Sequence, residues 1–267
     1  MSDFFKDKVV WITGASSGIG ECLVKEAARR GAKLVLSSRR EKELKRVRKD
    51  YGLTDSNSMI LPLDLQEYKK LGKVPTQVIK KFGTIDVLIN NGGISQRSLA
   101  HETSLETYET LMKVNYFGNI ALTLAVLPYM RKAKKGWISS IASVAGLIGV
   151  PLRTGYSSTK FALTGFFEAL RAENHKENIK VTLVYPGFVR TNISNNALKG
   201  DGTPQKKMDK VIENGIDPDE CARKILDAIA AEDLGVIIAG GKERFGLFLR
   251  HYFPNFFAKF LAKTSVT

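Results

Sequence analysis

Seven short runs of β-branched and other apolar residues punctuate the chain: KVVWIT, KLVLSS, SMILPL, IDVLIN, GWISSIA, IKVTLVY and GVIIAG. Longer amphipathic stretches separate most neighbours. A strand that is apolar on both faces must be covered on both faces, and a helix between consecutive strands allows them to lie parallel. The pattern therefore predicts an α/β fold, a doubly wound sheet of about seven parallel strands with helices on both sides. Ligands in such sheets sit outside the carboxyl ends of the strands.

At 267 residues, with 43% hydrophobic and 25% charged side chains, the chain is long enough for one large packed domain. We expect a catalytic domain over 1–243, a polar and weakly periodic substrate loop or lid over 192–216, and a separate C-terminal extension over 244–267. The 41 Lys plus Arg against 27 Asp plus Glu give a net charge of +14, which favours anionic partners without choosing among cofactor phosphates, lipid and nucleic acid. Cys22 and Cys221 are too few for a disulfide framework, so a reducing, cytoplasmic location is expected. The N-terminus runs into the first strand without an apolar leader, and no stretch reaches the roughly 20 apolar residues of a bilayer span. His101, His175 and His251 lie far apart without ligand-spaced neighbours, so no metal is expected.

The first strand is followed directly by Thr13-Gly14-Ala15-Ser16-Ser17-Gly18-Ile19-Gly20 and then by a helical pattern. Gly14 allows a tight turn, Gly18 lets backbone approach a diphosphate, and Gly20 permits close packing of helix on strand. The helix start offers unpaired N–H groups and positive potential to an anion. The spacing differs from the general G-x-G-x-x-G fingerprint of Rossmann-like dinucleotide sites. Where an NAD site places an acid on the ribose, the second strand ends instead in Ser37-Ser38-Arg39-Arg40. Arg39 is suited to pair with a 2′-phosphate, and Ser16 or Ser38 to donate to it, so NADP(H) is the expected cofactor. One of Arg39 and Arg40 also reads simply as the start of the charged helix that follows.

Tyr156 and Lys160 stand four residues apart on a helical pattern, TGYSSTKFALTGFFEALRAE, and so share a face. A neighbouring ammonium stabilises a phenolate, which suits Tyr156 to exchange a proton with a substrate oxygen. Ser143, thirteen residues upstream at the end of a strand, is placed to polarise a carbonyl, with Ser139 and Ser140 as competing serines.

Taken in order, the glycine turn, Asn90-Asn91-Gly92-Gly93, Asn115, Ser143, Tyr156 and Lys160 resemble the short-chain dehydrogenase/reductase family over almost the whole chain. The resemblance implies a Ser143-Tyr156-Lys160 triad joined by Asn115, which holds a water for a proton relay through the lysine; Asn119 is the nearby alternative. It implies cofactor contacts at Asn91 and Gly92, where Gly92 replaces the family's usual alanine, a tolerated change. It also implies contacts at Asp64 and Leu65 in LPLDLQ, although Asp64 reads equally as a helix cap. Pro186, Gly187, Val189 and Thr191 resemble the family's loop over the nicotinamide. The implied reaction is hydride transfer between nicotinamide C4 and a carbonyl or alcohol, with reduction favoured by the NADP(H) preference. The implied assembly is a homodimer or homotetramer.

From Arg244 to Lys263 the chain carries seven aromatic residues and no acid. This segment suits packing on the domain or a partner subunit, the lining of a pocket for a hydrophobic, lipid- or steroid-like substrate, or peripheral contact with a membrane. A non-catalytic nucleotide-sensing or RNA-binding protein on the same fold is the alternative. No RNA-binding motif supports it, nucleic acid is not expected as a partner, and a pure sensor has no need of Asn115, Ser143, Tyr156 and Lys160 together.

Overall fold

In the computed structural model, which describes residues 4–263, all seven expected strands join one parallel sheet. They are β1 (Val9–Thr13), β2 (Lys33–Ser37), β3 (Ser58–Ile60), β4 (Val87–Asn90), β5 (Gly136–Ile141), β6 (Ile179–Pro186) and β7 (Gly235–Ile238), in the order β3-β2-β1-β4-β5-β6-β7. The third run forms a regular strand only to Ile60. Beyond it the amides of Leu61 and Leu63 still bond to Leu36 and Ser38, while Pro62 between them has no N–H to give.

The strands are apolar on both faces because each face packs under its own layer of helices. On β1, Val10 and Ile12 enter one core with α1 (Gly18–Arg29), α2 (Glu41–Asp50) and α8 (Pro218–Ala230), through residues such as Leu23, Leu44 and Ile225. Val9 and Trp11 alternate to the other core, with α3 (Pro75–Phe82), α5 (Gly118–Ala133) and α6 (Thr154–Glu173), through Val78, Leu122 and Phe167. Helix α4 (Leu105–Met112) continues through a π-turn at Lys113–Phe117 into α5, so Leu105–Ala133 is one helix of 29 residues. By length and composition it meets the requirement for crossing a bilayer, contrary to the reading of the sequence. Its residues Val114, Leu122, Val126 and Met130 belong to the second core, which accounts for its apolar composition.

Strand order reverses direction between β1 and β4, and the crevice beyond the ends of these strands is where the expected site residues gather. The 192–216 segment has one short helix, α7 (Lys210–Glu213), and is tied to the chain beyond β4 by hydrogen bonds from the Arg97 amide to the Leu198 carbonyl (2.8 Å) and from the Leu198 amide to the Ser95 carbonyl (2.9 Å). The chain then forms α9 (Gly241–Tyr252) and α10 (Pro254–Ala262). Leu249 and Phe257 of this pair pack with Val144 and Ile148, so the C-terminal segment is in part attached to the domain.

Candidate active site

One cleft of roughly 640 Å³ runs from the β1–α1 turn to the start of α6. At one end lies the glycine turn. Gly14 and Gly18 have φ of 66° and 57°, the left-handed region that disfavours side chains. A Cβ on Gly14 would stand 2.8 Å from the Asn91 side chain, and one on Gly20 would collide with the Gly14 carbonyl. The first helical bond of α1 is made by the Glu21 amide to the Ser17 carbonyl, so the amides of Gly18, Ile19 and Gly20 precede the ladder at the end of the helix. This cradle fits a diphosphate.

Arg40, rather than Arg39, reaches the turn. Its guanidinium donates to the hydroxyls of Ser16 and Ser17, each at 3.1 Å, and its amide donates to Ser38 Oγ at 3.2 Å. Arg39 lines the same cleft and is exposed. Two cations therefore flank this end.

Asn91 acts as a brace: its side chain donates to the Thr13 carbonyl at 2.9 Å, while the amides of Asn91 and Gly92 donate to Thr13 Oγ1 at 3.0 and 2.9 Å. A Cβ at Gly92 would lie 2.6 Å from Leu65 Cδ1, the tip of a flexible side chain, so a shift of the Leu65 tip accommodates an alanine there. Asp64 caps the 3-10 turn Leu65–Lys73, accepting from the Gln66 amide at 2.9 Å, and both Asp64 and Leu65 also line the cleft.

At the other end, Ser143, Tyr156 and Lys160 line one wall. Ser139 and Ser140 are fully buried within β5, so Ser143 is the serine that faces the cleft. Its hydroxyl donates to the Pro186 carbonyl at 3.4 Å and accepts from the Ala145 amide at 3.1 Å. Lys160 Nζ donates to the Ile141 carbonyl at 2.7 Å and lies 5.6 Å from the centroid of the Tyr156 ring. Burial pushes its amino group down to about 8. Burial raises the Tyr156 phenol above its ordinary value, and the hydrogen bond with Ser143 and the charges of Arg153 and Arg97 act against that rise. The reading of the sequence assigned this tuning to Lys160 alone.

Asn115 sits in the π-turn and is completely buried. Its side chain donates to the Ile94 carbonyl (2.9 Å) and to Thr159 Oγ1 (3.1 Å), and accepts from the Ile94 amide (2.8 Å). These bonds clamp the chain beyond β4 onto α6. Asn119 donates to the Asn115 carbonyl at 2.7 Å and so supports the turn from below. Pro186, Gly187, Val189 and Thr191 line the cleft beside Ser143, with Thr191 packed near Gly18.

Arg97, Arg153 and Glu243 of the cleft lining, and Gln96 and Asp209 bonded to it, escape sequence reasoning. Gln96 Oε1 accepts from the amides of Gly155 (2.7 Å) and Tyr156 (3.2 Å), holding the start of α6. Arg97 and Arg153 form a buried ion cluster with Asp209, and Glu243 accepts from the Phe188 amide at 3.2 Å. None belongs to a local pattern, and each partner lies far along the chain.

The model of the short chain dehydrogenase family matches residues 8–202. The chain belongs to the short-chain dehydrogenase/reductase family. A "Dehydrogenase/reductase SDR family protein 7-like" of Anopheles gambiae is 45% identical over 253 residues, covering 93% of this chain and 80% of the relative. Its counterpart in Drosophila melanogaster is 40% identical over 263 residues, covering 97% and 81%. A family member from Burkholderia phymatum, solved in complex with NAD, has the same fold, with a TM-score of 0.83 at 23% identity over 94% of this chain and 95% of that one. By family this dehydrogenase/reductase is an oxidoreductase, and its glycine turn and Tyr156-Lys160 wall line one cleft.

Proposed function

We propose that the protein is an NADP(H)-dependent carbonyl reductase or alcohol dehydrogenase acting on an apolar, lipid- or steroid-like carbonyl or secondary alcohol. The observation that carries this reading is the single cleft with a diphosphate cradle at one end and Ser143, Tyr156 and Lys160 at the other. A bound nicotinamide dinucleotide supplies or accepts the hydride. The chain's own residues do the rest. Gly14, Ser16, Ser17, Gly18, Ile19 and Gly20 hold the diphosphate, with Asn91 and Gly92 as the neighbouring wall. Ser38, Arg39 and Arg40 favour a 2′-phosphate, since the end of β2 has two cations and no carboxylate. Asp64 and Leu65 border the adenine side, and Pro186, Gly187, Val189 and Thr191 border the nicotinamide side.

Ser143 orients the substrate oxygen by hydrogen bonding. Tyr156, a phenol kept protonated by burial, gives its proton to that oxygen in reduction and takes it back in oxidation. Lys160 stabilises the resulting phenolate, and Asn115 fixes the position of the helix that carries both residues. Ile94, Ile148, Val150, Ile193 and Leu261 give the substrate end an apolar lining, which supports an apolar substrate. The exposed Phe117 in the π-turn, Leu124 on α5 and Phe161 on α6 support a homodimer or homotetramer formed through these helices.

Fluorescence titration with NADPH and NADH, on the native chain and on Arg40→Ala and Arg39→Ala, tests the cofactor. NADPH binding at least about tenfold tighter than NADH, with the preference reduced in Arg40→Ala, is expected for a charge-assisted phosphate contact. Turnover of NADPH with a panel of apolar carbonyls, lost in Tyr156→Phe, tests the reaction. Binding of neither cofactor sinks the reading.

A further inference from the structure

Helices α9 and α10 each present two stripes of apolar residues. The inner stripe is Leu249 on α9 and Phe257 on α10, packed with Val144 and Ile148 of the domain, and Gly246 is buried beside Phe257. The outer stripe is Phe245, Phe248 and Tyr252 on α9, spaced three and four residues apart, continued by Phe253 and Phe256. These five rings are 53%, 49%, 63%, 53% and 59% exposed in that order. Phe248 lies 4.9 Å from Tyr252 and 6.1 Å from Phe253 between ring centroids, so these three rings form one cluster, with Phe245 and Phe256 on either side of it along the chain. An exposed aromatic cluster of this kind marks a contact site.

Charge decides which contact. Residues 244–263 include Arg244, Arg250, Lys259 and Lys263 and no Asp or Glu. A two-fold interface between copies brings the same surface patch onto itself and sets these cations against their own kind. An anionic lipid surface accepts the rings at the boundary between headgroups and acyl chains and neutralises the cations among its phosphates and carboxylates. We propose that α9 and α10 form a docking surface for an anionic bilayer, with the outer rings inserted and Lys259 and Lys263 at the headgroups, while Arg244, which donates to the Ile237 and Ala239 carbonyls, and Arg250, which lies over the Phe161 ring, add positive charge from the side of the domain. Leu261 of α10 also lines the cleft, so docking sets that wall of the cleft toward the lipid. The route for an apolar substrate from the bilayer into the cleft rests on the reductase reading, whereas the docking does not.

The test is co-sedimentation of the full chain with phosphatidylcholine vesicles, with and without phosphatidylserine, for the native protein and for Phe253→Glu/Phe256→Glu. The native protein is expected to bind the anionic vesicles and to lose about tenfold in partitioning when salt shortens the Debye length to a few ångströms. The double variant is expected to lose at least about tenfold as well, while its thermal melt stays that of the native fold. Arg250→Gln/Lys259→Gln, which leaves every ring in place, is expected to reduce anionic binding by about tenfold or more. Absence of native binding to the anionic vesicles, or native-like binding by both variants, overturns the proposal. So does a dimer that the ring substitutions dissolve in sedimentation velocity, since the face then belongs to a second copy. Cofactor titration on the same samples separates these outcomes from failure of the reductase reading.

Discussion

Arg97 and Asp209 pair beside the cleft, with Nε and Nη2 of the guanidinium 2.7 and 2.6 Å from one carboxylate oxygen of the aspartate. Arg97 stands in the chain beyond β4, whereas Asp209 belongs to the 192–216 segment, several residues of which line the cleft. Arg153, just before Tyr156, joins the same carboxylate at 3.5 Å. All three are almost fully buried. The pair therefore fastens the 192–216 segment to Arg97 and Arg153, two residues of the cleft lining.

Replacing Asp209 by Asn removes the carboxylate and leaves two buried guanidinium groups facing each other. Breaking a buried pair from one side costs about 3–5 kcal/mol. Asp209→Asn is expected to lower the urea midpoint accordingly, and to raise KM for the carbonyl more than it lowers cofactor affinity. A stability within about 0.5 kcal/mol of the native protein would show that the cluster does not fasten the segment.

Gln96 works on Tyr156 from behind, because its side-chain carbonyl accepts the first amides of α6. Its own amide group donates to Ser98 and Thr103, each at 3.1 Å, which fixes its orientation. Gln96→Leu fills the space without accepting those amides, and loss of a cap of this kind costs about 1 kcal/mol. We expect kcat to fall about tenfold or more through displacement of Tyr156, with NADPH affinity unchanged. A variant with native kcat would reduce Gln96 to a structural role.

Lys160 gives a pH signature of stability. Burial lowers its folded pKa to about 8, against 10.5 for an ordinary lysine. Between these values the unfolded chain binds a proton that the folded chain does not, so stability rises as pH rises through this window. Below pH 8 both states are charged, and the folded state bears the full cost of burying the ammonium, about 3 kcal/mol. Tyr156, Cys22 and Cys221, all raised by burial, act in the opposite direction at higher pH. The difference between the native protein and Lys160→Met isolates the lysine. Lys160→Met is expected to be the more stable at pH 7, and the gap should narrow toward pH 10. A gap independent of pH would contradict the assignment.

What the sequence determined is what depends on neighbours along the chain. Seven apolar runs separated by helical patterns specify the parallel sheet, because alternation and helical spacing are local properties of a backbone with fixed geometry. The glycine turn is legible for the same reason, as is the four-residue spacing of Tyr156 and Lys160. Even the replacement at Gly92 could be noticed, although not explained. The tertiary structure alone decided that Leu65 packs against Gly92 and Gly118, and that Arg40 rather than Arg39 touches the glycine turn. It alone decided that Asn115 clamps Ile94 to Thr159, and that Arg97 meets Asp209 across 112 residues. Such contacts leave no periodic trace, because an ion pair or a packed methyl group depends on where two distant segments come together, and that is settled by burial of the whole core.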